Sequence, residues 1–181
     1  MKRSEVIEIL QQAIESRHQV KIDRDKINTE TIHCIPLLLG WNLLMIRFLD
    51  DFQPDGYMFL RTRDITFARS GESERFSEMI LEKEGILSQL KEPSKIDLQN
   101  WGTVFKSLQA LGRNIIIECE GIEEGEFYIG KIVEVNNKSV SLLYFNGVGE
   151  WDVEPTDILY EEITRVSFDN RYINIMSKYL K

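Results

Sequence analysis

The sequence predicts a mainly β fold with α: two tandem, strongly bent barrels of about five short antiparallel strands each. Each barrel is preceded by a helix and followed by a shorter one. Three observations predict this. The chain says nearly the same thing twice, since Ile65-Thr66 leads through Arg75-Phe76 into an apolar helix and Ile163-Thr164 leads through Arg171-Tyr172 into another. Each half opens with apolar residues at helical spacing and continues as short strand-like runs between turn signals. A chain of 181 residues allows two small domains. Each alone would bury only a modest core, and packing them side by side relieves that shortage. The expected units are residues 1–90 and 97–181.

In the first half, Ser4 is a good helix N-cap, and Val6, Ile9, Leu10, Ala13 and Ile14 recur at helical spacing over residues 4–17. Residues 19–22 alternate as a first strand. The polar run 23–28 reads as a turn or mobile loop. Two apolar strands follow near 31–38 and 42–49. The stretch 50–56, with Pro54 and Asp55-Gly56, carries strong turn signals. Residues 57–61 and 65–69 are short strands, and 74–83 places Phe76, Met79, Ile80 and Leu81 along one helical side.

Residues 87–98, with Pro93 and Ser94, form the expected linker. The order then repeats. Residues 99–111 are helical, with Trp101, Val104, Phe105, Leu108 and Leu111 facing inward. The strand at 114–120 echoes Val20 and Ile22, about 95 residues earlier. Residues 127–135 and 139–145 form a hairpin about Asn136-Asn137. Asn146-Gly147-Val148-Gly149 turns toward Trp151, and Pro155 marks an edge or kink. Residues 163–168 are the last strand, and 173–180 end the chain helically.

Charge and composition narrow the function classes. Net charge is -8. Residues 1–94 hold 13 basic and 16 acidic groups, and 95–181 hold 9 and 14, so neither half is basic. General attraction to nucleic acid or an anionic membrane is not expected. Two cysteines make no disulfide framework. The start turns polar too early for a signal peptide, and no apolar run reaches membrane-spanning length, so a cytoplasmic location is expected.

The run Trp151-Asp152-Val153-Glu154-Pro155, with Ile163-Thr164-Arg165-Val166-Ser167-Phe168 and Arg171-Tyr172, resembles a pattern in uncharacterised bacterial proteins. Asp55-Gly56-Tyr57, with Leu60-Arg61 and Asp64-Ile65, resembles the signature of a related group. Both groups resemble Sm-like or SH3-like small β-barrels. The resemblance covers most of both halves and implies the fold, with no catalytic residues to carry over. The Sm RNA-binding signature, an Asp and an Asn beside a loop Arg-Gly, is not evident.

Chemistry-bearing motifs are sparse. His18, His33, Cys34 and Cys119 lack the paired local spacing of a zinc site, and buried free cysteines behave as small hydrophobes. His33 and Cys34 are adjacent on a strand, so they point to opposite faces. Glu118, Glu120, Glu123, Glu124 and Glu126 invite a cation, but the segment lacks the EF-hand pattern and reads as a solvated hairpin loop. Asp50, Asp51 and Asp55 read as turn residues. No phosphate loop or nucleophile elbow is present. The expectation is a non-enzymatic module without cofactor or metal.

Binding remains. Small barrels receive peptides on aromatic residues beside their loops. Trp41, Phe52 and Tyr57 in the first half, and Tyr144, Trp151 and Tyr160 in the second, are candidate wall residues, with core or rim packing as the plainer reading. Arg47, Arg61, Arg63 and Arg69 form the one basic concentration. Arg61 and Arg63 join the candidate site, and RNA is the runner-up ligand. The expected partner is another protein, an adaptor or immunity-like role, with a homo-oligomer allowed and neither nucleic acid nor membrane.

Overall fold

The computed structural model describes residues 1–90, 95–121 and 125–181. The first half runs α1 (Arg3–Ser16), β1 (Val20–Asp23), β2 (Thr31–Leu39), β3 (Leu43–Asp50), β4 (Gln53–Arg61), β5 (Phe67–Arg69) and α2 (Glu72–Lys83). The second runs α3 (Trp101–Leu111), β6 (Asn114–Cys119), β7 (Glu126–Val135), β8 (Ser139–Tyr144), β9 (Thr156–Leu159), β10 (Arg165–Phe168) and α4 (Arg171–Met176). The strands form one open antiparallel sheet of ten, in the order β5-β1-β2-β3-β4-β10-β6-β7-β8-β9. The fold is therefore mixed α/β, and the sheet runs unbroken through both halves.

The two halves match down to register. Asp23 pairs with Thr31 as Glu118 pairs with Phe127. A bulge falls between Pro36 and Leu38 of β2 and again between Ile132 and Glu134 of β7. Leu44 pairs with Leu60 as Val140 pairs with Ile158, and Lys21 with Arg69 as Ile116 with Ser167. Even the helix ends agree: α1 closes on Arg17 and α3 on Gly112, both left-handed. The repeat extends to a side-chain clasp. Thr66 Oγ1 donates to Asp25 and to the Asp23 carbonyl, and Thr164 Oγ1 donates likewise to Glu120 and the Glu118 carbonyl.

The halves meet where β4 pairs with β10, Tyr57 opposite Phe168 and Phe59 opposite Val166. Alternate side chains of β3 and β4 point to opposite faces. Leu44, Ile46, Met58 and Leu60 fill the core under α1, while Leu43, Met45, Tyr57 and Phe59 fill the core under α3. Burial on both faces explains the unbroken apolar run of β3. Tyr57 and Phe59 both stack on Phe168, with ring centroids 5.0 and 5.6 Å away. On the outer faces α2 covers Ile35 and Leu49 through Leu81, and α4 covers Ile116 and Phe145 through Ile173.

A buried ion pair completes the joint. Arg24 is fully buried and donates two hydrogen bonds to Glu120, 2.7 and 2.8 Å long. Asn28 and Thr164 complete the carboxylate's partners. Arg165 grips Glu118 with both arms and reaches Glu30. The run 23–28 is thus the turn, at 25–27, of the two expected alternatives, and it closes around the buried Arg24. A chain of polar letters hides an anchor, because a guanidinium can be buried when its carboxylate comes from another segment.

Other expectations need correction. α1 starts at Arg3 with Lys2 at its cap, so Ser4 sits in the first turn and not at the N-cap. Asp55-Gly56 lies inside β4 and is not the turn; the reversal comes at Asp51, which is left-handed. Gly56 has a φ of +73°, and a Cβ there would lie 2.5 Å from the Asn170 nitrogen. Asp55 accepts a hydrogen bond from the Arg171 backbone. That dipeptide is where the second half presses closest. Of the expected linker, Leu87–Gln89 is a 3-10 turn, while Pro93 and Ser94 lie outside the described residues.

Burial alone would raise the Glu120 carboxyl, but the hydrogen bond from Arg24 and the charge of Arg165 outweigh it and hold the group below its ordinary range. Its stabilising effect is therefore present above the unfolded carboxylate value and is lost as pH falls through the folded one. Denaturant unfolding should show stability dropping below about pH 4, and Glu120→Gln should flatten that slope. Glu120→Ala, which strands a buried guanidinium, should cost about 3–5 kcal/mol. The double variant Arg24→Met with Glu120→Leu should recover most of it.

Candidate binding surface

The exposed end of the joint gathers more candidate residues than any other place among the described residues. Three turns and one helix start converge there: the β2–β3 turn (Asn42), the β4–β5 turn (Arg63), the β9–β10 turn (Tyr160, Glu161) and the start of α3 (Asn100, Trp101). They surround a 330 Å³ pocket. Gly40 is required in the first turn, since a Cβ would lie 2.6 Å from the Leu98 carbonyl oxygen. At the start of α3 the Asn100 side chain accepts a hydrogen bond from the Thr103 amide, which fixes the helix end.

The pocket has an aromatic wall and a polar rim. Trp101 stacks on Phe105, and Phe105 on Tyr160, with centroids 5.8 Å apart in each case. The Tyr160 hydroxyl donates to the Asn136 carbonyl at 2.8 Å, and burial holds this phenol above its usual value. It therefore stays a neutral donor. Arg61 is committed to Asp64 and the Glu161 carbonyl, so it stiffens the wall. The Arg63 side chain is 64% exposed and touches only the far oxygen of Asp64, at 3.9 Å. It is the guanidinium an incoming group would meet.

Beside this pocket stands Trp41, 85% exposed at the tip of its turn. On its other side a 540 Å³ groove runs along α1, lined by Ile7, Leu39, Arg3 and Gln11. Trp41 thus lines the α1 groove, one residue before the Asn42 that lines the pocket.

The remaining candidates lie elsewhere. Phe52, 44% exposed, is at the β3–β4 turn. Tyr57 is buried at the joint, where its hydroxyl accepts from Arg47 and its ring carries the Arg47 guanidinium at 4.6 Å. Tyr144 and Trp151 pack under α4, Trp151 edge-on to Phe145. So Arg61, Arg63 and Tyr160 come together, Trp41 lies in the adjoining groove, and Phe52, Tyr57, Tyr144 and Trp151 do not join them. Trp101, expected as core, and Asn42 and Asn100 complete the pocket. The four arginines also separate: Arg69 pairs with Glu74 on α2, and Arg47 lies inside the joint.

The acidic candidates are internal partners. Glu118 and Glu120 serve the joint, and Glu126 accepts from Tyr128. Glu123 and Glu124 lie outside the described residues. His18 faces Glu78 at 3.1 Å, and no cluster of three His, Cys, Asp or Glu suited to a metal occurs among the described residues. Cys34 and Cys119 are both buried; burial pushes the Cys119 thiol up to about 12 and Cys34 higher still. No helix of the structure is long and apolar enough to cross a membrane. Compared with protein-family models, curated proteins and solved structures, the chain matches none.

Neither thiol is a thiolate at neutral pH, so neither is a nucleophile while folded. A chromogenic disulfide reagent at pH 8 should label neither cysteine of the native protein within minutes. Both should react at once in denaturant. Rapid labelling of the native form would contradict the burial described above.

Proposed function

We propose that this chain is a non-enzymatic protein-binding module, with an adaptor or immunity-like role in the cytoplasm, made of two Sm-like or SH3-like barrels fused through one sheet. The repeat of strand order, bulge and register supports the tandem-barrel part of this reading. One observation carries the functional part: Trp41, 85% exposed, lines the apolar groove along α1 and immediately precedes Asn42 of the neighbouring pocket. Leaving a tryptophan in water forgoes the burial of a large apolar surface. Such a residue beside a pocket is the usual anchor of an interface. Arg3 and Arg63 at the two rims favour acidic residues flanking the partner's apolar anchor.

RNA is a second reading, because Asn42, Arg63, Trp101 and Tyr160 place an amide, a guanidinium and aromatic faces around one pocket. The net charge of -8 opposes it.

Affinity capture from lysate of the source cell, read by mass spectrometry, compares wild type with Trp41→Ala and Phe52→Ala. A partner protein retained by wild type and by Phe52→Ala should be lost with Trp41→Ala, by roughly 30-fold or more in affinity for a hot-spot residue. Equal retention by all three overturns the proposed surface. Titration of fluorescent single-stranded RNA should show no saturable, salt-sensitive binding. Binding abolished by Arg63→Ala would favour the second reading.

A further inference from the structure

The strand order repeats so faithfully that the open ends of the sheet have internal templates. β10 is paired on both sides, by β6 and by β4. Its counterpart β5 is paired only by β1, among the described residues. What β4 does for β10 therefore shows what the outer edge of β5 is shaped to receive.

At the joint, Phe59 lies opposite Val166, in one core with Val104 and Leu108 of α3. By register the counterparts are Ala68 for Val166, and Ile9 and Ala13 of α1 for Val104 and Leu108. Two of these three are smaller, and Ile9 is only partly buried whereas Val104 is fully so. The result is a 500 Å³ groove along the β5 edge, with Ile9, Ala13, Phe67 and Ala68 as its apolar part, polar and basic residues such as His18 and Arg75 around them, and Met1 at one end, whose amino group donates to the Thr66 carbonyl. By register its Ala68 and Ser70 stand where Val166 and Phe168 face Phe59 and Tyr57 at the joint. Beside it the Asp25–Thr66 clasp repeats the Glu120–Thr164 clasp, yet Asp25 is exposed while Glu120 holds Arg24.

We infer that the outer edge of β5 is a strand-addition site for an extended segment of a partner protein. That segment carries aromatic side chains at alternate positions, as β4 does, and a basic side chain that reaches Asp25. Main-chain hydrogen bonds supply affinity in this mode, and the alternating rings supply selectivity. A second copy of this chain is the wrong occupant. Its free strand β9 would bring Asp157 to the place of Phe59 and Pro155 to that of Tyr57, and the counterpart of Arg24 is the buried Cys119. Asp157, held by the Ser141 hydroxyl of its own half, would set a carboxylate over Ala68 where the β4 template sets a ring.

The probe is a synthetic peptide of residues 53–62, the β4 segment itself, titrated into isotope-labelled protein and followed by amide shifts and exchange. Saturable binding with shifts and protection at Phe67–Arg69 is expected, weakened at least tenfold when the peptide's two aromatic positions are changed to serine. Ile9→Gln, at the groove wall, should weaken it as well. Trp41→Ala should leave it unchanged, so failure here is distinct from failure of the proposed surface. No shift at β5 up to millimolar peptide overturns the inference. So does equal binding of a peptide of residues 154–162, or concentration-dependent self-association in sedimentation.

Discussion

The structure depends on one buried contact, the grip of Arg24 on Glu120. A guanidinium removed from water tolerates few alternatives, because any arrangement that separates it from its carboxylate leaves a naked charge inside the protein. Apolar faces are permissive about their partners, and a buried ion pair is not. The pair thus fixes how one half is rotated and shifted against the other. The β4–β10 ladder and the rings on Phe168 then add energy within an alignment already set.

β3 and β4 turn that alignment into a single body. With one face under α1 and the other under α3, they belong to both cores at once. Gly56 presses against Asn170, and Asp55 holds the Arg171 amide, so the start of α4 is seated by the first half. The candidate surface inherits this rigidity. Its turns come from both halves, and the committed Arg61 spans from one to the other.

The sequence made the periodic elements legible. The helices under the sheet and the hairpin about Asn136-Asn137 are local patterns that appear close to where they were expected, whereas the strands expected to begin at Ile65 and Ile163 begin two residues later, at Phe67 and Arg165. The joint was less legible. Asp23-Arg24-Asp25 has the composition of a loop, and nothing local marks Arg24 as the one charged residue among those described that has no exposure at all. A signal did exist, in that this triplet aligns with Glu118-Cys119-Glu120 ahead of the repeated Ile-Thr. Asp55-Gly56 misled for a related reason. A left-handed glycine marks a turn or a close backbone approach, and only tertiary structure tells which. At the candidate surface Trp41 was readable as an aromatic beside a turn. Trp101 was not, because helical spacing places it in the core, and its edge reaches the pocket only through the neighbouring half.

The ladder between β4 and β10 joins segments about 100 residues apart. A ribosome adding roughly 5–20 residues per second therefore finishes the first half some seconds to tens of seconds before β10 exists. Throughout that interval β4 is paired on one side only, by β3, and the rings of Tyr57 and Phe59 lack the Phe168 on which they later stack. The nascent chain presents a sticky flank to whatever is nearby, so the order of translation itself sets a window for misassembly that ends only when the last strand leaves the exit tunnel.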